Sequence, residues 1–244
     1  MSETEQNYAL DHTLKVKKAD LDIVQQTHEY DLNLSSNQIF LFGAETYTAG
    51  SNEMLDLGEP GIEYVIANRF IRNLNLCMRI NSKKPILIHM KTCGGFWTEG
   101  MAIYDAIKSC PNPVTILSYT HARSMSSLIL QAANKRVLMP NSYFMIHDGT
   151  DYVSGTQKSV RSYVDFGRIA SKTMLDIYVK SLKENGKFKN KSEKVITNWL
   201  KSKMNEKEEV YLTAKESVEI GFADEIFDAN WAKLLEYTEE QLRR

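Results

Sequence analysis

Short apolar runs alternate with stretches of helical periodicity along most of this 244-residue chain. Several runs are bounded by Gly or Pro, as buried strands often are, and the stretches between them repeat apolar residues at i, i+3 and i+4, as helices with one buried face do. The predicted strands are residues 38–43, 85–90, 114–118, 136–139 and 143–147. The predicted helices are residues 61–76, 98–109, 124–133, 156–182 and 192–203. Residues 46–60 form a predicted loop. Because strands that alternate with helices over short links are usually parallel, the sequence predicts an α/β fold whose strand ends meet at one side of the sheet.

The two ends of the chain lie outside this alternating region. Residues 1–37 are polar and mixed in charge, which predicts an N-terminal arm that is partly ordered at best, or a propeptide. Residues 229–244 place Trp231 and Leu234 at helical spacing and predict a C-terminal helix. We therefore expect one domain over residues 38–228, in keeping with the length of the chain.

Composition and charge argue against several functional classes. A hydrophobic fraction of 43% and a charged fraction of 25% are ordinary for a chain that buries a core. The formal net charge of −1 gives no reason to expect nucleic acid or an anionic membrane as a partner. No apolar run approaches the ~18 residues of a membrane span, and the polar N-terminus lacks the apolar stretch of a signal peptide. We therefore expect a soluble, cytoplasmic protein.

The cysteines indicate a reducing compartment. Cys77, Cys93 and Cys110 are an odd number and include no C-x-x-C pair. This pattern argues against a disulfide framework and against a structural zinc site.

Ser124 stands where the periodicity changes from strand to helix. A serine at such a turn has two interpretations. Its hydroxyl can cap the helix by accepting a backbone N–H, which is by far the commoner role. It can also be a nucleophile exposed at the turn, with nearby backbone N–H groups to hold an oxyanion.

A serine nucleophile needs a base, and three histidines lie in the α/β region. His89 is inside a predicted strand, His121 precedes Ser124 by three residues, and His147 ends the last predicted core strand. Each histidine taken alone is more often structural than catalytic. His147 is the best placed, because strand ends and helix starts meet at one rim of a parallel sheet.

A Gly-Gly pair follows the second predicted strand. Gly94 and Gly95 allow a close approach of the backbone to a substrate strand or to an oxyanion, although a tight turn into the next helix is the simpler interpretation. Cys93, just before them, is an alternative nucleophile with His89 as its base. That alternative requires a lowered thiol pKa, for which the sequence offers no evidence.

Four blocks of the sequence, in the same order, resemble the proteolytic subunit of the Clp protease (ClpP), a family of serine peptidases with the crotonase-like fold. The first block is a strand plus Gly-Gly with G-M-A-I-Y-D-A-I, which ends at residue 107. The second is A-R-S-M, ending at residue 125, and the third is L-M-P-N-S-Y-F-M-I-H, ending at residue 147. The fourth is Y-L-T-A-K-E-S-V-E-I-G-F-A-D-E-I, ending at residue 226. The family has A-S-M around its nucleophile, M-P-N-S-x-x-M-I-H ending in its base, and an acidic residue two positions before the aromatic residue of its last block. The resemblance covers about residues 38–227. It makes the nucleophile, rather than the helix cap, the favoured interpretation of Ser124.

The resemblance implies a role for particular residues when it is carried over position by position. Ser124 is then the nucleophile, His147 is the general base, and Glu209 occupies the position of the family's aspartate. The backbone N–H groups of Gly95 and Met125 are the implied oxyanion donors. The backbone beside Gly-Gly would also pair with an extended substrate peptide.

The resemblance also implies the architecture and the function. The expected fold is a spiral of β-β-α units with a protruding handle helix at residues 156–182. The expected function is that of an ATP-dependent Clp-type serine endopeptidase, which hydrolyses unfolded polypeptides through an acyl-enzyme. The implied assembly is a tetradecamer of heptameric rings stacked in pairs, and the implied partner is an AAA+ unfoldase. No metal or organic cofactor is implied.

Several positions depart from the family pattern. Thr-Cys replaces the usual Ser-Pro before Gly-Gly. Arg123 stands where a small residue is usual, and Ser126 stands where glycine is usual. Glu209 is one methylene longer than aspartate, and the adjacent Glu208 is a rival for its role. Arg123 and the replacement of aspartate by Glu209 support one alternative, a catalytically silent homologue that serves as an assembly or scaffold subunit. A further alternative is an acyl-CoA enzyme of the wider crotonase-like fold, against which the A-R-S-M and M-I-H blocks count.

Overall fold

The computed structural model describes residues 18–43, 61–150 and 153–244, so the predicted loop at 46–60 lies outside the described residues. The strands are β1 (Leu32–Asn33), β2 (Gln38–Phe42), β3 (Ile86–Thr92), β4 (Val114–Arg123), β5 (Lys135–Leu138), β6 (Tyr143–Ile146), β7 (Val210–Thr213) and β8 (Glu225–Ile226). The α-helices of the described residues are α1 (Lys18–Tyr30), α2 (Tyr64–Ile80), α3 (Trp97–Lys108), α4 (Met125–Ala132), α5 (Gln157–Glu184), α6 (Glu193–Glu206), α7 (Ala214–Ile220) and α8 (Glu239–Leu242).

The strands form one mixed sheet in the order β1-β2-β3-β4-β5-β8. From β2 to β8 neighbouring strands in this order are parallel, whereas β1 is antiparallel to β2. β4 has a further partner, because residues 115–118 pair with β5 and residues 121–123 pair in parallel with β6. β7 then adds antiparallel to β6. The predicted α/β architecture is confirmed, and β4 runs on to Arg123 rather than ending at residue 118.

The central strands are buried on both faces, which explains why their sequences are almost continuously apolar. Ile88 of β3 is fully buried in the main core between the sheet and the helices. Its neighbour Leu87 points to the other face, where it packs in a second buried cluster with Leu117, Val137 and Leu234. The second cluster explains why the C-terminal segment covers that face of the sheet.

Local signals in the sequence set the starts of two helices. The carboxylate of Glu63 caps α2 by accepting hydrogen bonds from the N–H groups of Val65 and Ile66, each at 2.9 Å. α7 begins with a capping box, in which Thr213 and Glu216 each accept a hydrogen bond from the other's backbone N–H. Both devices satisfy N–H groups that a helix start leaves without partners.

α5 is the long helix that the handle prediction requires. It has 28 residues, and its buried side chains begin only at Met174. Its first part is exposed, with Ile169 at 64% of its accessible surface. Neither α5 nor any other helix of the described residues has the length and apolar character that a membrane span needs.

Part of the predicted N-terminal arm belongs to the folded domain. α1 and β1 lie within residues 18–37, and β1 pairs with β2. Asn37 is fully buried, and its amide donates to the carbonyls of Lys84 and Pro85 at 3.0 and 2.9 Å. The fold therefore begins before the predicted boundary at residue 38, and residues 1–17 lie outside the described part of the chain.

The predicted C-terminal helix over residues 229–244 is wrong. The segment contains a short 3-10 turn at Ala232–Leu235 and the four-residue α8, and Trp231 is 52% exposed. The physical reason is that side chains of the sheet bind its backbone. The ammonium of Lys135 donates to the backbone carbonyls of Lys233 and Glu236. The hydroxyl of Thr115 donates to the backbone carbonyl of Leu234. These tertiary hydrogen bonds replace those of a continuous helix.

Candidate active site

Ser124 lies at a sharp turn between β4 and α4. Its backbone has φ 51° and ψ −130°, a left-handed conformation that a residue with a Cβ rarely adopts and that costs of order 1–3 kcal/mol. Its side chain makes no capping hydrogen bond with the helix. The carbonyl of Ser124 instead accepts from the N–H and the hydroxyl of Ser127, at 3.0 and 2.6 Å. Of the two interpretations of this serine, the helix cap is therefore contradicted.

The Gly-Gly loop lies directly against this turn. Gly94 and Gly95 have φ 104° and 146°. A Cβ on Gly94 would lie 2.7 Å from the Cβ of Ser124 and 2.9 Å from the backbone nitrogen of Met125. A Cβ on Gly95 would lie 2.1 Å from the carbonyl oxygen of Ile62, with which this loop forms a short parallel bridge. The backbone of the loop reaches the start of α4 only because both residues are glycine.

Met125 is the first residue of α4, so its N–H has no partner within the helix. Gly95, Ser124 and Met125 together line a cleft of about 220 Å³. Tyr163 and Phe166 of α5 line the same cleft, which gives it an apolar wall. The predicted nucleophile and the residues of the two predicted oxyanion donors therefore line a space that can hold a peptide side chain.

The register of three strands places Ser124, His147 and Glu209 at the same end of β4, β6 and β7. Arg123 of β4 pairs with Met145 of β6, so each strand ends within one residue of this pair. Ile146 of β6 pairs with Val210 of β7, which sets the preceding Glu209 opposite the following His147. The predicted nucleophile, base and carboxylate thus come from the ends of adjacent strands.

His147 is half-buried, and its burial lowers the pKa of the imidazole below its usual value. Glu209 and Asp148 raise this pKa, Arg123 lowers it, and Glu208 raises it by less than Glu209 does. The net lowering keeps the imidazole neutral at pH 7, the form that can accept a proton. Among the carboxylates, Glu209 has the largest effect on His147, which favours it over Glu208.

The carboxylate of Glu209 has a partner that sequence reasoning missed. The phenol of Tyr211 donates a hydrogen bond of 2.7 Å to its Oε2 atom. Tyr211 follows Glu209 by two residues, and side chains two apart in a strand point to the same face. That spacing was the available signal. Asp148, which follows His147 and lines the cleft, was missed as well.

The competing residues have other surroundings. Both ring nitrogens of His89 already have partners, the hydroxyl of Tyr119 at 2.9 Å and the side chain of Gln38 at 3.0 Å. Burial lowers the pKa of His89 to about 4 and raises the pKa of the Cys93 thiol. The alternative of Cys93 activated by His89 is therefore contradicted, because a reactive cysteine needs a lowered pKa.

His121 is also poorly placed for a base. It lies within β4, paired with Tyr143, and its Nε2 atom is buried without a hydrogen-bond partner in the described part of the chain. Over the same residues, no group of His, Cys, Asp and Glu side chains is arranged to hold a metal ion.

Comparisons with known proteins bear on the family of the chain. The family model described as Clp protease matches residues 51–230. The chain is 30% identical over 165 residues to the ATP-dependent Clp protease proteolytic subunit 2 of Treponema denticola, covering 66% of this chain and 75% of that protein. It is 28% identical over 163 residues to the subunit 2 of Thermobifida fusca, covering 66% and 74%. The subunit 1 of Streptomyces avermitilis is 34% identical over 101 residues, which are 41% of this chain and 46% of that protein.

Proposed function

The chain belongs to the Clp protease family as a ClpP-like protease subunit, and we propose that it is an active serine endopeptidase rather than a catalytically silent homologue. The observation that carries this proposal is the turn at Ser124. A strained backbone at an uncapped serine that lines a cleft is costly, and such strain is usually retained where chemistry needs it.

The proposed reaction is an acyl transfer through Ser124. The Oγ atom attacks the scissile carbonyl carbon while His147 takes the hydroxyl proton. Glu209 stabilises the imidazolium that forms. The N–H groups of Gly95 and Met125 donate to the oxyanion. The tetrahedral intermediate then collapses, His147 delivers its proton to the leaving amine, and a water activated in the same way releases the acyl group from Ser124.

The proposed substrates are unfolded polypeptides. An extended chain can add its backbone beside the Gly94–Gly95 loop, as in strand addition, while one side chain enters the apolar cleft. A folded protein cannot present its backbone in this way. The curated relatives are named as proteolytic subunits of ATP-dependent proteases. We therefore also propose heptameric rings stacked in pairs as the assembly and an AAA+ unfoldase as the partner.

Active-site labelling tests the proposal. We expect a fluorophosphonate to add once per chain to the wild type and not at all to Ser124→Ala, as read by intact mass and peptide mapping. Ser162→Ala is a suitable control, because Ser162 is an exposed serine whose hydroxyl donates to the carbonyl of Lys158, and this variant should still be labelled.

A folded and assembled wild type that takes up no label would overturn the proposal in favour of the silent homologue. Label that persists in Ser124→Ala would mean that another residue is the nucleophile.

A further inference from the structure

Two of the departures from the family pattern meet at one side chain. Glu209 replaces an aspartate and Arg123 replaces a small residue, and both lie against the phenol of Tyr211. The phenol donates to Oε2 of Glu209 at 2.7 Å. Arg123 lies in the same cross-strand row as Tyr211, since both pair with Met145 of β6, and its charge lowers the pKa of the phenol. The two replacements therefore form one connected cluster beside His147.

We propose that Tyr211 is a positioning residue that fixes the Glu209 carboxylate toward His147. This inference rests on the proposed peptidase function. It assigns to Tyr211 a task created by the extra methylene of Glu209, which adds a rotatable bond between the backbone and the carboxylate.

The backbone of Tyr211 is well anchored for this task. Tyr211 pairs with Met145 of β6, two residues before His147 in the chain. Its ring has only two side-chain torsions, so the position of the hydroxyl follows from the strand with little freedom. The hydrogen bond occupies Oε2 of Glu209, and a carboxylate has a second oxygen that can accept the N–H of the imidazole.

The charges of the cluster keep the phenol in its donating form. The hydrogen bond to Glu209 raises the pKa of Tyr211, and Arg123 opposes that rise only in part. Tyr211 therefore stays protonated at neutral pH and remains a donor. Arg123 supplies a positive charge beside Glu209, and the same charge lowers the pKa of His147.

Removal of the Tyr211 hydroxyl tests the inference. Tyr211 is 49% exposed, and a hydrogen bond in such a place is worth little unless it orients a reacting group. We expect Tyr211→Phe to lower kcat for a peptide substrate roughly three- to tenfold with an unchanged KM. In the Glu209→Gln background the same substitution should have no further effect. Tyr143→Phe is the matched control, since Tyr143 is a 50% exposed tyrosine of β6, and its kcat should equal that of the wild type.

The pH profile separates positioning from a general loss of stability. The charged groups that act on His147 are Glu209, Asp148, Arg123 and Glu208. A loosened Glu209 raises the pKa of His147 less, so Tyr211→Phe should move the acidic limb of kcat/KM to lower pH. Arg123→Gln removes a charge that lowers this pKa and should move the limb to higher pH. Destabilisation alone would not shift the two variants in opposite directions.

The outcomes distinguish this inference from the proposed function. A wild type whose Ser124 takes no fluorophosphonate overturns both. If the wild type is labelled but Tyr211→Phe keeps the kcat and the pH profile of the wild type, only the positioning role is overturned.

Discussion

At the scale of single residues, the two neighbouring glutamates differ in what they can do for His147. The register of β6 and β7 places Glu209 opposite His147. Glu209 also raises the pKa of the imidazole more than Glu208 does. We predict that Glu209→Gln lowers kcat about 100-fold or more, because a neutral amide no longer stabilises the imidazolium. Glu208→Gln should stay close to the wild type.

The measurement is peptide hydrolysis by both variants across a pH range. Removal of Glu209 should also shift the acidic limb to lower pH, since this carboxylate raises the pKa of His147. Full activity of both variants would remove Glu209 from the proposed mechanism.

The sequence predicted which residues to consider but not how they are oriented. The change of period at Ser124 is typical of a helix cap and compatible with a nucleophile, and within the sequence only the resemblance favoured the nucleophile. The hydrogen bond from Tyr211 to Glu209 joins residues two apart, and that spacing was its signal in the sequence. The positive φ of Ser124, in contrast, occurs where the turn packs against Gly94, which is distant in the sequence. No local pattern reports such contacts.

At the scale of secondary structure elements, a buried ion pair joins β5 to the turn after α7. The guanidinium of Arg136 is 2% exposed and donates to Asp224 at 2.8 Å. Burial alone would raise the pKa of Asp224, but Arg136 and Arg244 outweigh it and lower the pKa below its usual value. The pair therefore stabilises the fold at pH values above the ordinary pKa of an aspartate. This contribution is lost as the pH falls through the lowered pKa of Asp224.

We predict that Asp224→Asn lowers the free energy of unfolding by about 3–5 kcal/mol, because it leaves a buried guanidinium without its counter-charge. Asp165→Asn is the control. Asp165 forms an exposed pair with Arg168, at 68% and 76% side-chain exposure, and should change stability by less than about 1 kcal/mol. Urea denaturation at one protein concentration and pH 7 measures both. Equal effects would mean that the buried pair contributes no more than a surface pair.

The elements that the sequence predicted well are those whose own periodicity matches their burial. β3 and α4 are examples, since the apolar residues that predicted them, such as Ile88 and Leu128, are buried. The C-terminal segment was predicted wrongly because Thr115 and Lys135, about a hundred residues earlier, bind its carbonyls. The end of β4 was also missed, because its last residues pair with β6 although they include the polar Thr120 and His121.

At the scale of the whole molecule, the exposed apolar side chains of α5 indicate a contact surface. Phe166 and Ile169 are one turn apart and are 43% and 64% exposed. We predict that Ile169→Lys lowers the particle mass of the assembled protein, because a buried contact between copies cannot accommodate an unpaired charge. Sedimentation velocity measures this mass.

Val195→Lys provides the matched control, since Val195 is an equally apolar residue, 50% exposed, on α6. Its particle mass should equal that of the wild type. A wild type and an Ile169→Lys variant of the same mass would exclude α5 from the assembly contacts.

The double pairing of β4 has a consequence for how the protein loses its activity. The proposed nucleophile follows β4, the base follows β6 and the carboxylate precedes β7, so the backbone amides that hold all three belong to one hydrogen-bonded ladder. β4 is a central strand with β3, β5 and β6 as partners, so the amides that join β4 to β6 should be among the slowest to exchange with solvent. We therefore expect heat to abolish the catalytic arrangement and the folded state in one cooperative step, with no separate melting of a catalytic loop.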